Sequence, residues 1–298
     1  MPVLPDALDK AMWPKSVVVC ERLGLSISVT EWSRRGLPCV LLHGFGDAGC
    51  VWNHLAIRIA SQFRVAALDL RGHGNSDWDP EARYDSATFA ADLAKAAAAF
   101  GFERMLLVGH SLGADVAIRF AADNPARVAA LVIVDFGPEC DKTGVDEVVR
   151  AFTAMPRAFA STDEYAEWLI AQRPLADPGL LRQFARCNLR RSPSGGGWEP
   201  KTDTAMATSS QISRLEARDG IYCWPDLWSA LARITCPSLV VRGMASGVLS
   251  YDVARRMVDQ GLHGGRLATI AGAGHSVMMD NPTDFSACVV GFLSGISG

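Results

Sequence analysis

Gly109-His110-Ser111-Leu112-Gly113 follows the apolar run Leu106-Leu107-Val108 and leads straight into a helical stretch, Leu112 to Asn124. A serine on so sharp a strand-to-helix turn is held in a strained backbone that lifts its hydroxyl above the sheet edge. The helix N-terminus beside it offers unpaired N–H groups to a developing negative charge. The chemistry this suits is nucleophilic attack on a carbonyl, which needs a base. His275 answers that need: it lies in the short loop Gly272-Ala273-Gly274-His275-Ser276 after an apolar run, where an imidazole can reach across strand ends to Ser111. Imidazole, as a residue type, suits proton removal from a hydroxyl near neutral pH.

The elements that must position these residues alternate regularly. Ser16 to Arg22 and Leu25 to Trp32 read as a hairpin turning at Gly24. Short apolar strands follow at Cys39–Leu42, Val65–Leu68, Leu106–Val108 and Ala129–Val134, with helices predicted over Val51–Ser61, Ser86–Phe100 (capped by Ser86 or Thr88) and Leu112–Asn124. Strands that are apolar throughout, separated by helices, imply a mostly parallel sheet covered on both faces. Ligands bind such sheets beyond the carboxyl ends of the strands, where His43, Asp69, Ser111 and Asp135 all fall. From Gly137 to Ser229 the strand pattern is missing. Helices are expected at Asp146–Thr153, Asp163–Ala171 and Pro178–Cys187, with a flexible turn at Ser192–Gly197. This segment reads as an inserted helical cap that shapes and dries a pocket. Strands at Ser238–Arg242 and Arg266–Ile270 and a helix over Pro282–Leu293 complete the sheet. The expected division is core over 1–137, cap over 138–231 and core again over 232–298.

Bulk properties narrow the function classes. With 298 residues, 49% hydrophobic and 20% charged, the chain can bury a large core. A net charge of −3 without a basic run argues against nucleic acid and anionic membrane surfaces. No run approaches a membrane span, and Met1 to Lys15 lacks the apolar core of a signal peptide. None of the eight cysteines forms a C-x-x-C pair, and several sit in apolar strands, so the expectation is a reduced, cytoplasmic, soluble protein. No cluster has metal-ligand spacing and no glycine loop precedes a lysine, so no cofactor is expected; the expected partner is a small-molecule substrate.

The order His43-Gly44, Gly109-His110-Ser111-Leu112-Gly113 and Gly274-His275 resembles the α/β-hydrolase fold over nearly the whole chain. The loop Asp69-Leu70-Arg71-Gly72-His73-Gly74-Asn75-Ser76 resembles that of the epoxide-hydrolase, haloalkane-dehalogenase and carbon–carbon-hydrolase branch. The resemblance implies a triad in chain order nucleophile, acid, histidine, beneath a cap. It also implies that Phe45 and Leu112 backbone N–H groups form an oxyanion hole, with spacing leaving Phe45 and Gly46 open as the loop's donor. His43, His73 and Arg71 read as braces of their loops, and His110 as a packing residue beside the nucleophile. In many relatives the acid stands in a pattern such as Gly-x-x-Ser-Asp, but here that segment is Gly243-Met244-Ala245-Ser246-Gly247. Asp135, 24 residues after Ser111 (135 − 111 = 24), resembles the placement in some haloalkane dehalogenases and in cofactor-independent dioxygenases of this fold. Asp252, which could equally cap a helix from Val253, and an absent acid stay open beside it. Halide abstraction and covalent epoxide opening need a carboxylate nucleophile, which a serine elbow does not supply.

The reading is a Ser111-His275-Asp135 hydrolase acting on an ester, a lactone or a carbon–carbon bond next to a carbonyl in an apolar or aromatic substrate. Gly44, Gly46, His110, Phe136, Trp198 and Trp224 are the candidate pocket residues. Two other classes compete. One is a cofactor-free oxygenase or cyclase using His275 as base; the other is a non-catalytic ligand-binding protein of the same fold.

Overall fold

A computed structural model describes residues 15–20, 24–193, 195–209 and 216–296. The reading of the first residues, the end of the first strand at 21–22 and Ser194 of the flexible turn lie outside them. Strands β1 (Lys15–Cys20), β2 (Leu25–Glu31), β3 (Pro38–Leu42), β4 (Arg64–Leu68), β5 (Met105–His110), β6 (Val128–Val134), β11 (Ser238–Gly243) and β12 (Arg266–Ile270) form one sheet in the order β1-β2-β4-β3-β5-β6-β11-β12. β1 and β2 pair antiparallel, as does β2 with β4; every other neighbour is parallel. Side chains alternate between the faces, so Val40, Leu42 and Leu107 join one core while Cys39, Leu41 and Leu106 join the other. That two-sided burial is why these strands are apolar at every position.

Helices α2 (Ser86–Ala99), α3 (Leu112–Asp123) and α8 (Pro225–Arg233) cover the first face; α1 (Asn53–Ile59) and α11 (Pro282–Ser294) cover the second. The expected helix over Val51–Ser61 begins instead as a 3-10 turn, Gly49–Trp52, and becomes α-helical at Asn53. The cap of α2 is Asp85, whose carboxylate accepts the Thr88 N–H, in place of Ser86 or Thr88.

The insertion carries α4 (Lys142–Thr153), α5 (Thr162–Gln172), α6 (Pro178–Asn188) and α7 (Met206–Ser209). It is not free of strands: β7 (Glu139–Asp141) pairs with β10 (Ile221–Cys223), and β8 (Leu189–Arg191) with β9 (Trp198–Pro200). Each has three residues, too few to show an alternating pattern. α8, a helix the sequence reading did not foresee, begins within the expected cap range 138–231 and packs on α3 of the core. Two further helices, α9 (Tyr251–Arg256) and α10 (Val277–Asp280), flank β12. Among the described residues no helix is long and apolar enough to cross a membrane.

Candidate active site

β5 delivers Ser111 at its carboxyl end with φ 49° and ψ −115°, a conformation hostile to any residue with a Cβ. The turn closes only because its flanks are glycine. A Cβ on Gly113 would stand 2.3 Å from the Leu42 carbonyl oxygen, and one on Gly109 2.3 Å from the Gly113 oxygen. α3 then starts at Leu112, leaving that residue's N–H at the first position of the helix.

Asp135 stands at the end of β6, the next strand of the sheet, also with positive φ (51°) and wholly buried. Its N–H bonds the Val241 carbonyl at 2.8 Å, fixing the turn against β11. Three donors satisfy the buried carboxylate. Oδ1 accepts the Gly243 N–H (3.1 Å), and Oδ2 accepts both the Ser246 hydroxyl (2.5 Å) and His275 Nδ1–H (2.8 Å). The Ser246 oxygen in turn accepts the Val248 and Leu249 N–H groups at 3.1 and 3.3 Å. With Nδ1 donating, His275 keeps Nε2 as its free nitrogen, and its ring lines the same cavity as Ser111. Asp252 is exposed on α9, with Ser250 as that helix's cap, so it does not meet His275.

Opposite the elbow runs the loop after β3. His43 is buried and neutral, its pKa lowered by burial. It donates from Nδ1 to the Gly44 oxygen (2.8 Å) and accepts the Leu70 N–H at Nε2 (2.9 Å), bracing two loops at once. His73, lowered well below its ordinary value by burial, accepts the Gly46 N–H at 3.2 Å. That bond engages Gly46 and leaves Phe45 as the loop's candidate oxyanion donor. The loop passes so close to the elbow that a Cβ on Gly44 would sit 2.6 Å from His110 Nδ1 and 3.3 Å from Ser111 Cβ.

His110 does more than pack. Its Nε2–H donates to the His275 carbonyl oxygen at 2.9 Å, anchoring the histidine loop from below, and the two rings lie 4.7 Å apart. Burial, then the nearby His275, lowers its pKa well below the ordinary value. Asp47, next in the oxyanion loop and also buried, is paired with Arg173 at the end of α5 at 2.9 Å.

Two cavities meet at the elbow. The first is almost wholly apolar, walled by Phe45, Phe89, Phe136, Val145, Trp224 and Val248, and Ser111 and His275 also line it. The second is more polar and holds Gly46, His110, Arg173 and Asp280 as well as His275. Thus Phe136 and Trp224 stand where the sequence suggested, packed edge to face at 5.2 Å. Trp198 does not: it lies on β9, pairing with Phe159 beneath the Arg191 guanidinium, outside both cavities. An aromatic residue in a small cap module is needed for that module's own core. Ser246 and the Asp47–Arg173 pair escaped the sequence reading. For Ser246 a signal existed, since the Gly-x-x-Ser-Asp pattern keeps its serine while its aspartate has become glycine. Among the described residues no group of three or more His, Cys, Asp or Glu side chains is placed to hold a metal ion.

The family model described as the alpha/beta hydrolase fold matches residues 38–282. A 2-(acetamidomethylene)succinate hydrolase of Mesorhizobium japonicum is 30% identical over 212 residues, 71% of this chain and 72% of its own length. The crystal structure of an E-2-(acetamidomethylene)succinate hydrolase superposes with a TM-score of 0.82 at 26% identity, covering 95% of this chain and 99% of that one. An esterase of Mycobacterium tuberculosis is 27% identical over 273 residues, 90% of this chain and 86% of its own length.

Proposed function

This chain belongs to the α/β-hydrolase fold family and is a hydrolase, and from that premise we propose that it is a serine hydrolase that cleaves carboxylic esters through Ser111, His275 and Asp135. The observation that carries the reading is the strained Ser111 sharing an apolar cavity with a histidine whose Nδ1–H is bonded to a buried carboxylate. His275 Nε2 takes the hydroxyl proton as Ser111 Oγ attacks the carbonyl carbon. The Phe45 and Leu112 N–H groups hold the oxyanion, each worth about 2–4 kcal/mol in the transition state. Collapse expels the alcohol, protonated by His275, and water then releases the acid by the same route. The wall of Phe45, Phe136, Val145 and Trp224 suits an apolar or aromatic acyl group. Lactones, and ketones activated for carbon–carbon cleavage, use the same groups and are the next substrates to try. The M. tuberculosis relative, an esterase by name, supports starting with esters.

Stopped-flow hydrolysis of p-nitrophenyl butyrate tests this. The expected result is a burst of nitrophenolate equal to the enzyme concentration, absent in Ser111→Ala, with a butyryl group mapped to Ser111 in quenched wild type. Turnover that survives Ser111→Ala and vanishes in His275→Ala would overturn the acyl-serine route in favour of base-only oxygenase or cyclase chemistry. No turnover of esters, lactones or diketones, with a ligand bound tightly and unchanged, would favour a binding protein.

A further inference from the structure

Two cavities that meet beside one nucleophile divide a substrate between them, and they share Phe45, Val148, Val248 and His275. The first also holds Ser111 and Leu112, the nucleophile and a proposed oxyanion donor, among apolar side chains. The second, about 470 Å³, holds His275 together with its loop neighbours Gly274 and Ser276. In ester cleavage the histidine returns its proton to the departing oxygen, so the second cavity is the side on which the alcohol leaves. Its polar lining therefore bears on the alcohol, as the apolar lining of the first bears on the acyl group.

The charged side chains around the second cavity are not equivalent. Arg150 and Glu147, both exposed on α4, pair with each other at 2.9 Å. Asp280 spends Oδ2 on the Gly274 N–H at 2.8 Å, and burial raises its pKa. His110, with its Nε2–H on the His275 carbonyl, is kept neutral by burial. Arg173 differs from all of these. It stands at the end of α5 with its guanidinium carbon 5.7 Å from the centre of the Phe184 ring on α6, and its side chain is 24% exposed, within reach of a ligand in the cavity. A guanidinium has five N–H groups. Arg173 gives one, from Nη2, to Asp47 Oδ1 at 2.9 Å, and it bonds no other side chain among the described residues; Nη1 is buried with no partner among them. A guanidinium held from two sides and using so few of its donors is a fixed cation with capacity for a further acceptor.

We propose that the second cavity is a carboxylate subsite, and that the preferred substrates are esters whose alcohol carries a carboxylate bound by Arg173. The inference rests on the ester reading above. A planar fork that grips Asp47 with one N–H presents its others to a second carboxylate, which accepts two at once where a neutral carbonyl accepts one. Asp47 shares the positive charge, so the second carboxylate is held by charge-assisted hydrogen bonds and not by an unpaired cation. The bond that breaks is the acyl C–O bond. Ser111 Oγ takes the acyl carbon, the alcohol oxygen leaves with the proton from His275, and a hydroxy acid is released with its carboxylate unchanged. Water then removes the acyl group, so the balance is ester plus water giving acid plus hydroxy acid.

The test compares butyrate esters of meta- and para-hydroxybenzoate with those of the matching hydroxybenzamides, which replace the carboxylate by a neutral amide of the same shape. In wild type the better carboxylate ester should exceed its amide in kcat/KM by about tenfold or more, although its phenoxide is the poorer leaving group. In Arg173→Gln that ratio should fall to about one, and Arg173→Lys, which keeps the ion pair with Asp47 but not the fork, should retain part of it. The ratio is the deciding quantity because the glutamine variant also leaves Asp47 unpaired. An arginine that only held the oxyanion loop would slow both esters alike and leave the ratio intact, which would overturn the proposal. A wild-type ratio near one for both isomers, with the amide esters turned over, would overturn the subsite while the ester reading stands. If no ester is turned over, the ester reading fails, and calorimetric titration of wild type with the hydroxybenzoates and hydroxybenzamides decides the subsite by itself. Acids that bind about tenfold tighter than amides, with the difference lost in Arg173→Gln, would keep the carboxylate site; equal affinities would overturn it.

Discussion

Asp135→Asn is the change that most directly probes the proposed triad. Asparagine has nearly the shape of aspartate, so the turn at the end of β6, with its N–H on the Val241 carbonyl, can persist. The Gly243 N–H requires an acceptor at Oδ1, which fixes the amide: its oxygen faces Gly243 and its NH2 takes the place of Oδ2. That NH2 then confronts His275 Nδ1, which must become an acceptor and pass its proton to Nε2. The nitrogen meant to receive the Ser111 proton now carries one. Ser246 Oγ, which already accepts the Val248 and Leu249 N–H groups, accepts from the amide only by giving up one of them, a small local cost beside the loss of the correct tautomer. A wrong tautomer with intact geometry costs about 10⁴ in kcat in serine proteases, or about 5.4 kcal/mol in the barrier. The oxyanion donors and the cavity are untouched, so KM for p-nitrophenyl butyrate should stay within about threefold, as expected when only the transition state is affected. Steady-state kinetics at neutral pH, with circular dichroism to show an unchanged fold, measures both quantities. A loss in kcat smaller than about tenfold would refute the reasoning. A rise on Gly247→Asp with Asp135→Asn silent would show that the acid belongs at 247.

Ser246→Ala removes one hydrogen bond from Asp135 and leaves the Val248 and Leu249 N–H groups without their acceptor. A bond to a charged group is worth about 1.5–3 kcal/mol, so kcat should fall about tenfold to a hundredfold, with Ser246→Thr recovering most of it; equal losses for Ser246→Ala and Asp135→Asn would contradict this. Trp224→Ala removes the ring packed on Phe136 and widens the apolar cavity, so kcat/KM for octanoate relative to acetate esters should rise about tenfold, and an unchanged ratio would place the acyl group elsewhere. The pH dependence of stability also follows from burial. His54 is pushed down to about 4, chiefly by burial, and His43, His73 and His110 are lowered for the same principal reason. Because their folded pKa values lie below the unfolded value of about 6.5, the unfolded chain takes protons first. Their contribution is complete above that value and is lost as pH falls toward 4. Asp115 and Asp280, raised by burial, run the other way, but two carboxyls oppose four imidazoles. Calorimetry should therefore show Tm falling between pH 7 and 5, with a shallower slope in His54→Gln; a flat or rising Tm would refute it.

What the sequence made legible follows from how far each signal reaches along the chain. Ser111 and its strand and helix are one continuous segment whose glycines are demanded by backbone contacts of 2.3 Å, so the motif carries its own geometry. The strands were readable because burial on both faces makes every position apolar. The short pairs β7–β10 and β8–β9 were not, because three residues carry no period and their partners are distant. Trp198 was misplaced for a related reason: composition says that an aromatic residue is buried, not against which neighbour. Asp47–Arg173 is invisible in one dimension, since its members are 126 residues apart in unrelated elements. His110 reads as packing in the sequence because a histidine donating to a backbone carbonyl 165 residues away leaves no trace in local pattern.

The position of the proposed acid can be understood as an exchange between two neighbouring strand ends. β6 and β11 are adjacent and parallel, so carboxylates at their ends could approach one histidine from either side. Here the carboxylate sits on β6 and the turn after β11 has become its support. Gly243 and Ser246 both donate to it, and Ser246 is held for that task by two N–H groups of its own turn. Freed of an acidic side chain, Gly247 becomes the seat for the cap: a Cβ on Gly144, in the first turn of α4, would lie 1.9 Å from the Gly247 oxygen. Asp141, which caps α4, adds a backbone bond to the Val248 oxygen at 2.8 Å. One turn thus supports the Asp135 carboxylate on one side and the cap on the other. Any substitution for Gly144 must lift α4 off that turn, and Val145 and Val148, which wall the apolar cavity, move with it. In this chain the placement of the proposed acid and the shape of the apolar cavity are therefore set by the same few residues.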